Sequence, residues 1–417
     1  MADSSAARRW TAVTLLFLAV LINYVDRGNL SIVAVPLMED FGLAPVSMGT
    51  LLSAFFWTYA ALQIPMGWVV DRYDLKWTYA IALLVWSLAS AAVGLATSFV
   101  QIFGLRLLLG AGEAMAYPAS LTYIRRNFPE DRRGFPTAVY LSGVMVGPAV
   151  GAFLAGALLE VTGWRQLFIY TGLGGCLWLI PWLLLVPPGK AAPDATNMAG
   201  AEQRSTAWGR LMRHPTFWGI TLGMFFYSYY WYFCLTWIPS YLMLQYELPF
   251  LKMGTYTALP MLGMAVVSLV AGRAADRRIA RRGRAISVRR SFVCAGFVLG
   301  GSGLALLVAP TAEAALAVLF CSMMGLGVTS ANFWALTQAL APQAVVGRVV
   351  GYQNTISNIA GLCAPILTGY LVGEQGNFRT AIWIAGLSPF VAALAYGTLI
   401  REDVREAFWG GDSHAVP

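Results

Sequence analysis

Four charged residues stand inside long apolar runs of this sequence: Asp26 and Arg27 in one run, Arg106 and Glu113 in another. A charge at the centre of a bilayer costs about 2.5–3.5 kcal/mol on insertion scales, so such residues are functional candidates by default. Two acids and two bases sum to zero, and four charges exceed what a static pin between two helices needs. Asp26 lies seven residues before the end of its run at position 33, and Arg106 six after the start of its own at 100. If the two helices run in opposite directions, both groups sit roughly 10 Å below the same boundary, at ~1.5 Å per residue. Glu113 is seven positions beyond Arg106, two turns further along the same face, and Arg27 points about 100° away from Asp26 towards a different neighbour. The two histidines, His214 and His414, fall in polar segments. A proton held within the apolar runs must therefore ride on a carboxyl group, whose neutral form desolvation favours. Asp26 and Glu113 are the two available.

The elements that would position these groups are membrane spans. The chain is 58% hydrophobic and 12% charged, against about 25% charged in an ordinary soluble domain, and its mean hydropathy is +0.64. Apolar runs at 11–33, 46–69, 77–97, 100–124, 136–160, 166–186, 216–243, 254–272, 290–309, 314–338, 349–373 and 379–400 predict twelve helices, each near the ~20 residues needed to cross the hydrocarbon core. They are apolar all round rather than striped, which argues against a soluble helical protein. The net charge of +8 does not indicate a nucleic-acid partner. With the N-terminus inside, 23 of the 28 Lys and Arg fall in inner segments, and only Arg165, Lys252 and Arg379 in outer loops. That is the positive-inside pattern, with both termini cytoplasmic. Arg8 and Arg9 lead into a run long enough to stay as the first helix. The five cysteines fall within spans and show neither a disulfide framework nor metal-ligand spacing. No nucleophile–base constellation marks an enzyme, and no metal or cofactor is expected.

The fold class that follows is an all-α membrane protein, with twelve transmembrane helices in two pseudo-symmetric six-helix bundles. The boundaries are residues 1–186 for the N-terminal bundle, 187–215 for a cytoplasmic linker rich in Pro and Gly, 216–400 for the C-terminal bundle and 401–417 for a cytoplasmic tail. Gly67-x-x-x-Asp71-Arg72 after the second span recurs as Gly272-x-x-x-Asp276-Arg277 after the eighth, 205 residues later. Parallel halves of this kind place a substrate site at the midplane.

With Lys76 nearby and Pro129-Glu130-x-x-Arg133-Gly134 two loops later, the first of these motifs resembles the major facilitator superfamily. In that family such loops are thought to form a cytoplasmic clasp in which charges complement helix ends; ordinary solvated loop charges are the alternative. Asp74 and Leu75 stand where the family usually has Gly and a basic residue, which predicts a weaker clasp. The string Asn23-Tyr24-Val25-Asp26-Arg27-Gly28-Asn29-Leu30-Ser31, with Arg106-x-x-x-Gly110-x-Gly112-Glu113, resembles the anion:cation symporter family of sugar-acid, hexuronate and organic-anion transporters. The resemblance covers essentially the whole chain. It implies proton handling by Asp26 and Glu113, a substrate or coupling role for Arg27 and Arg106, and pocket roles for Tyr24, Tyr59, Trp334 and Asn354. It also implies proton-coupled uptake of a small organic anion by alternating access, with the proton as coupling ion. The implied setting is a bacterial inner membrane, and the implied working unit a monomer. Val144 and Ala331 replace polar pocket positions of sugar-acid transporters, which hints at a less hydroxylated anion.

Three features admit two readings. Tyr227, Tyr229, Tyr230, Trp231, Tyr232 and Phe233 form either an interfacial belt or, since the band starts well inside its span, a central lining to which Tyr227 and Tyr230 contribute. Gln353, Asn354, Ser357 and Asn358 offer amides and a hydroxyl either to a solute, with Asn354 and Asn358 as contacts, or to neighbouring helices. Gly143-x-x-x-Gly147-Pro148-x-x-Gly151 is similar to a glycine-proline motif associated with antiporters, but such spacing also permits close helix packing, the favoured reading. The rival functions are a proton-coupled exporter of drugs or metabolites, whose cationic substrates two arginines would repel, and a transporter-derived sensor.

Overall fold

The computed structural model describes residues 2–129, 132–188, 212–340 and 346–401. Glu130 and most of the expected linker lie outside the described residues, as does the side chain of Asp71. The described chain is helical: α1 Ala2–Ile32, α2 Ala34–Phe41, α3 Pro45–Arg72, α4 Leu75–Val93, α5 Phe99–Glu113, α6 Ala116–Asn127, α7 Gly134–Thr162, α8 Trp164–Cys176, α9 Leu179–Leu185, α10 Pro215–Tyr246, α11 Phe250–Arg282, α12 Ala285–Gly300, α13 Ala312–Leu340, α14 Val346–Val372 and α15 Arg379–Leu399, with a 3-10 turn at Gly301–Val308 prolonging α12. Among the described residues, ten helical segments are long and apolar enough to cross a membrane. α3 and α10 have the length, at 28 and 32 residues, but their Trp, Tyr and Gln side chains lower the hydropathy.

Three of the expected spans are interrupted, and prolines explain two of the breaks. Pro118 has no N–H for the carbonyl of Ala114, and Pro181 none for that of Leu177, so the ladder lapses one turn before each proline. The α5–α6 break falls directly after Glu113. At the third, Gly300, Gly301 and Gly303 weaken the helix, and Phe390 and Tyr230 occupy the space that side chains at Gly301 and Gly303 would need.

The chain forms two compact units. The first takes Met1–Asp194 together with Cys234–Leu262 and Pro365–Asn377; the second takes Ala195–Phe233, Gly263–Ala364 and Phe378–Pro417. One end of each of α10, α11 and α14 is thus grouped with the first six-span run, a division finer than the expected boundary at the linker.

Glycine sets the helix spacing in the first unit. α7 lays Gly143, Gly147 and Gly151 against Val20, Tyr24 and Val25 of α1, and a Cβ at Gly147 would come within 2.7 Å of the Tyr24 Cβ. The glycine-proline string is therefore a packing seam, as its small-residue spacing suggested. Gly110 of α5 backs onto the Phe55 carbonyl of α3, and Thr58 Oγ1 donates to the Leu107 carbonyl at 2.6 Å. At the far end of α7, Gly156 meets Gly254 backbone to backbone, and Glu160 accepts from the Leu251 N–H at 3.1 Å. In the second unit Gly296 and Gly325 let α12 and α13 touch, and Thr329 Oγ1 donates to the Val293 carbonyl at 3.3 Å.

Candidate functional site

Arg27 leaves α1 towards α5, and its Nε donates to Glu113 Oε2 at 2.6 Å. The Glu113 side chain is 0% exposed and that of Arg27 14%. Rings box the guanidinium: Phe55 at 4.4 Å, Tyr59 at 4.5 Å and Tyr24 at 5.2 Å from its carbon. Phe55 and Tyr59, one turn apart on α3, stack at 4.9 Å. Aromatic faces carry partial negative charge and stabilise a cation that has lost its water. The box thus favours the charged form of Arg27, whose side chain keeps a little exposure.

Asp26 and Arg106 occupy the same level, as their depths suggested, but not as a carboxylate–guanidinium pair. Ser90 Oγ of α4 donates to Asp26 Oδ1 at 2.7 Å, and Arg106 Nη1 donates to the backbone carbonyl of Asp26 at 3.2 Å. No Asp26–Arg106 ion pair occurs among the described residues. Both side chains are buried, at 1% and 3% exposure. Asp26 Oδ2, Arg106 Nε, Glu113 Oε1 and Asn23 Nδ2 keep hydrogen-bonding capacity that no protein group fills. Buried polar groups are normally satisfied, so this cluster of exceptions on α1 and α5 makes the place a candidate site. Asn29 is buried and donates to Thr171 Oγ1 at 2.8 Å.

The first unit thus assembles Tyr24, Asp26, Arg27, Tyr59, Arg106 and Glu113. The other expected contacts belong to the second unit. Tyr227 packs on Phe333 at 5.0 Å, and Phe333 on Trp334 at 4.9 Å. Trp334 and Asn354 are half-buried; Asn358 is 3% exposed and its Nδ2 has no protein partner. Tyr230 departs from the expected lining role. It is 1% exposed, and its hydroxyl is 2.6 Å from Ser322 Oγ, which donates on to the Gly300 carbonyl at 2.6 Å. Tyr230 fills the space that Gly303 leaves, because a Cβ there would overlap its hydroxyl. Gln353 Nε2 donates to Thr337 Oγ1 at 3.0 Å, and Ser357 Oγ accepts from Ser228 Oγ at 2.8 Å. These two serve interhelical bonding.

The loop motifs divide between caps and charge pairs. Asp74, the departure from the family pattern, caps α4 by accepting from the Lys76 N–H at 2.8 Å. Arg72 lies over the Trp68 ring at 4.2 Å, and Lys76 Nζ 5.7 Å from the Trp77 ring. Nothing lies within 4 Å of a Cβ built at Gly67. Arg133 Nε donates to the Phe128 carbonyl at 2.9 Å, Arg9 to the Asn127 carbonyl at 3.1 Å and Arg126 to the Val70 carbonyl at 3.4 Å. Cations thereby serve the C-terminal ends of α3 and α6, where the helix dipole favours them. In the second unit Asp276 pairs with Arg289 at 2.7 Å, not with its neighbour Arg277.

Comparison with known proteins decides the family. The family model described as "Major Facilitator Superfamily" matches residues 16–365. The chain belongs to the Major Facilitator Superfamily. The D-galactonate transporter of Escherichia coli is 30% identical over 95% of this chain and 96% of its own length. The hexuronate transporter of Bacillus subtilis is 32% identical over 93% of this chain and 94% of its own. Among solved structures, a bacterial homolog of the human lysosomal transporter Spinster, in an inward-facing and unoccupied conformation, superposes with a TM-score of 0.80 at 18% identity, covering 93% of this chain and 96% of that one. That likeness carries the superfamily fold.

Within this facilitator, sequence reading missed Phe55 and Ser90. Phe55 is an aromatic in an apolar helix, and its one signal was the spacing of four to Tyr59. Ser90 is one of two serines in α4, and its spacing alone did not say which faces Asp26.

Proposed function

We propose that the protein is a secondary active transporter that takes up a small organic anion, a sugar acid or related monocarboxylate, together with protons by alternating access. The observation that carries this reading is the buried Arg27–Glu113 pair inside its aromatic box. A carboxylate substrate needs a cation away from water, and a guanidinium offers two parallel donors to it. Glu113 already occupies that guanidinium, so an arriving anion meets a competitor. A proton on Glu113 removes the negative charge and releases Arg27 for the substrate. Return of Glu113 to its charged form on the other side restores the pair and favours release. Proton and anion thus enter the same site as mutual conditions, which is what symport requires.

Asp26 is the second proton carrier in this scheme, since it is the other carboxyl group at this depth and Arg106 touches its own backbone. Two protons with one monovalent anion make a net positive load. An inside-negative potential then drives uptake with about 2.3 kcal/mol per charge at 100 mV. Galactonate and hexuronates, named for the two relatives above, are sugar acids, and this supports the same substrate class here.

Glu113→Gln tests the scheme in proteoliposomes with an imposed pH gradient. The amide imitates the protonated acid, so the variant binds and counterflows labelled substrate but does not accumulate it. Accumulation at the wild-type level would remove Glu113 from coupling.

A further inference from the structure

α11 is 33 residues long, about 50 Å at ~1.5 Å per residue, against about 30 Å of hydrocarbon in a bilayer. The excess includes its arginine-rich end. Val266, Leu269 and Val270 are 61%, 63% and 60% exposed; on a membrane protein, an apolar face this bare is turned to lipid. The helical repeat carries the same face onward. At about 100° per residue, Arg273, Arg277 and Arg281 fall with these three apolar residues inside roughly 120° of arc. All three arginines are exposed, and none has an acidic, aromatic or carbonyl partner among the described residues.

Other arginines of the segment are employed within the protein. Arg289 holds Asp276 at 2.7 Å, Arg290 donates to the Ile400 carbonyl at 2.7 Å, and Arg278 lies 5.7 Å from the Phe292 ring centre. Asp276 is the single acid between positions 273 and 290, and Arg289 neutralises it. Among the described residues nothing neutralises the Arg273–Arg277–Arg281 stripe, which lies one turn beyond a lipid-facing apolar strip.

We propose that Arg273, Arg277 and Arg281 form a docking strip for the phosphate groups of anionic phospholipids in the adjoining leaflet. The apolar part of the face fixes where acyl chains lie. The arginine stems cover that edge and their heads reach the headgroup layer. The guanidinium fork matches phosphate oxygens in pairs, which a lone ammonium cannot do. Basic residues beside a span draw anionic lipid by surface potential as well. Arg277, half of the repeated loop motif, is on this account a lipid contact, while the intramolecular clasp at this place is Asp276–Arg289.

The test uses the full-length protein in neutral detergent, with thermal unfolding followed as phosphatidylglycerol, phosphatidylcholine or inorganic phosphate is added. Phosphatidylglycerol raises Tm saturably; the other two do not. R273Q/R277Q/R281Q weakens the apparent phosphatidylglycerol affinity by about fivefold for each arginine removed. Should the triple variant not accumulate, R277Q alone, with its expected fivefold loss, decides. An unchanged phosphatidylglycerol response in the variant overturns the proposal. So does an equal response to inorganic phosphate, which would make the stripe a free-anion site.

Discussion

The two units are both helical but differ in the chemistry of their interiors. The interior of the first holds formal charges: Arg27 on Glu113, Asp26 under Ser90, and Arg106 on a backbone carbonyl. The interior of the second is bonded by neutral groups, with Tyr230 on Ser322, Gln353 on Thr337, Ser228 on Ser357, and Ser268 on Ser330 at 3.0 Å. The energies differ accordingly. A neutral hydrogen bond contributes about 1 kcal/mol net, whereas removing one partner of a buried ion pair costs about 3–5 kcal/mol. A region wired by charges has states that differ by several kcal/mol when one proton is added. A region wired by hydroxyls and amides hardly responds. Under the proposed function, the contrast assigns the proton-sensitive element to the first unit and leaves neutral polar groups in the second.

The sharpest way to break this contrast is at Arg27. Arg27→Ala strands Glu113 in an apolar setting and should lower stability by about 3–5 kcal/mol, with loss of carboxylate binding in a thermal-shift titration. Arg27→Ala with Glu113→Ala should be less destabilised than the two singles summed, with a coupling of about 1–3 kcal/mol. Strict additivity would mean that the pair does not work as a unit. Next in size is the seam between α1 and α7. Gly147→Ala pushes a methyl group into Tyr24 and should cost about 1–3 kcal/mol, while Gly104→Ala, with nothing within 4 Å, should be close to neutral in the same unfolding assay. A neutral Gly147→Ala would return the glycine-proline string to its antiporter reading. The smallest effect is expected in the second unit. Tyr230→Phe removes one hydroxyl and should cost about 1 kcal/mol, with substrate affinity within about twofold of wild type. A large loss of binding would put Tyr230 back among the substrate contacts.

Side-chain type was enough to find the charged site, because a formal charge in an apolar run is conspicuous and its depth follows from counting. Partnership was harder to read. Arg106 lies at the level of Asp26 as expected, but the distance between helices and the rotamer decide whether it meets carboxylate or carbonyl, and neither quantity has a linear signature. Arg27 did face a different neighbour, and that neighbour was Glu113. Phe55 was invisible because one more aromatic in an apolar helix carries no contrast. Tyr230 was misplaced because its position along α10 gives depth but not which side of the helix meets Gly303. Asp74 shows the reverse case: a departure from a family pattern that became clear once the start of α4 was placed one residue after it.

The separation in sequence between Arg27 and Glu113 is 86 residues, and this bears on how the protein is made. At about 5–20 residues per second, a ribosome needs roughly 4–17 s to bring Glu113 out after Arg27. During that interval the first helix carries two charges into the membrane without the Arg106 guanidinium and the Glu113 carboxyl that later meet them, and with only the rings of Tyr24, Phe55 and Tyr59 already made. It has to wait at the insertion machinery, or pass into lipid at a penalty that later helices recover. Nascent chains arrested before α5 should therefore hold the first helix loosely and release it to alkaline extraction, and chains arrested after α7, whose glycines lock α1 in place, should not.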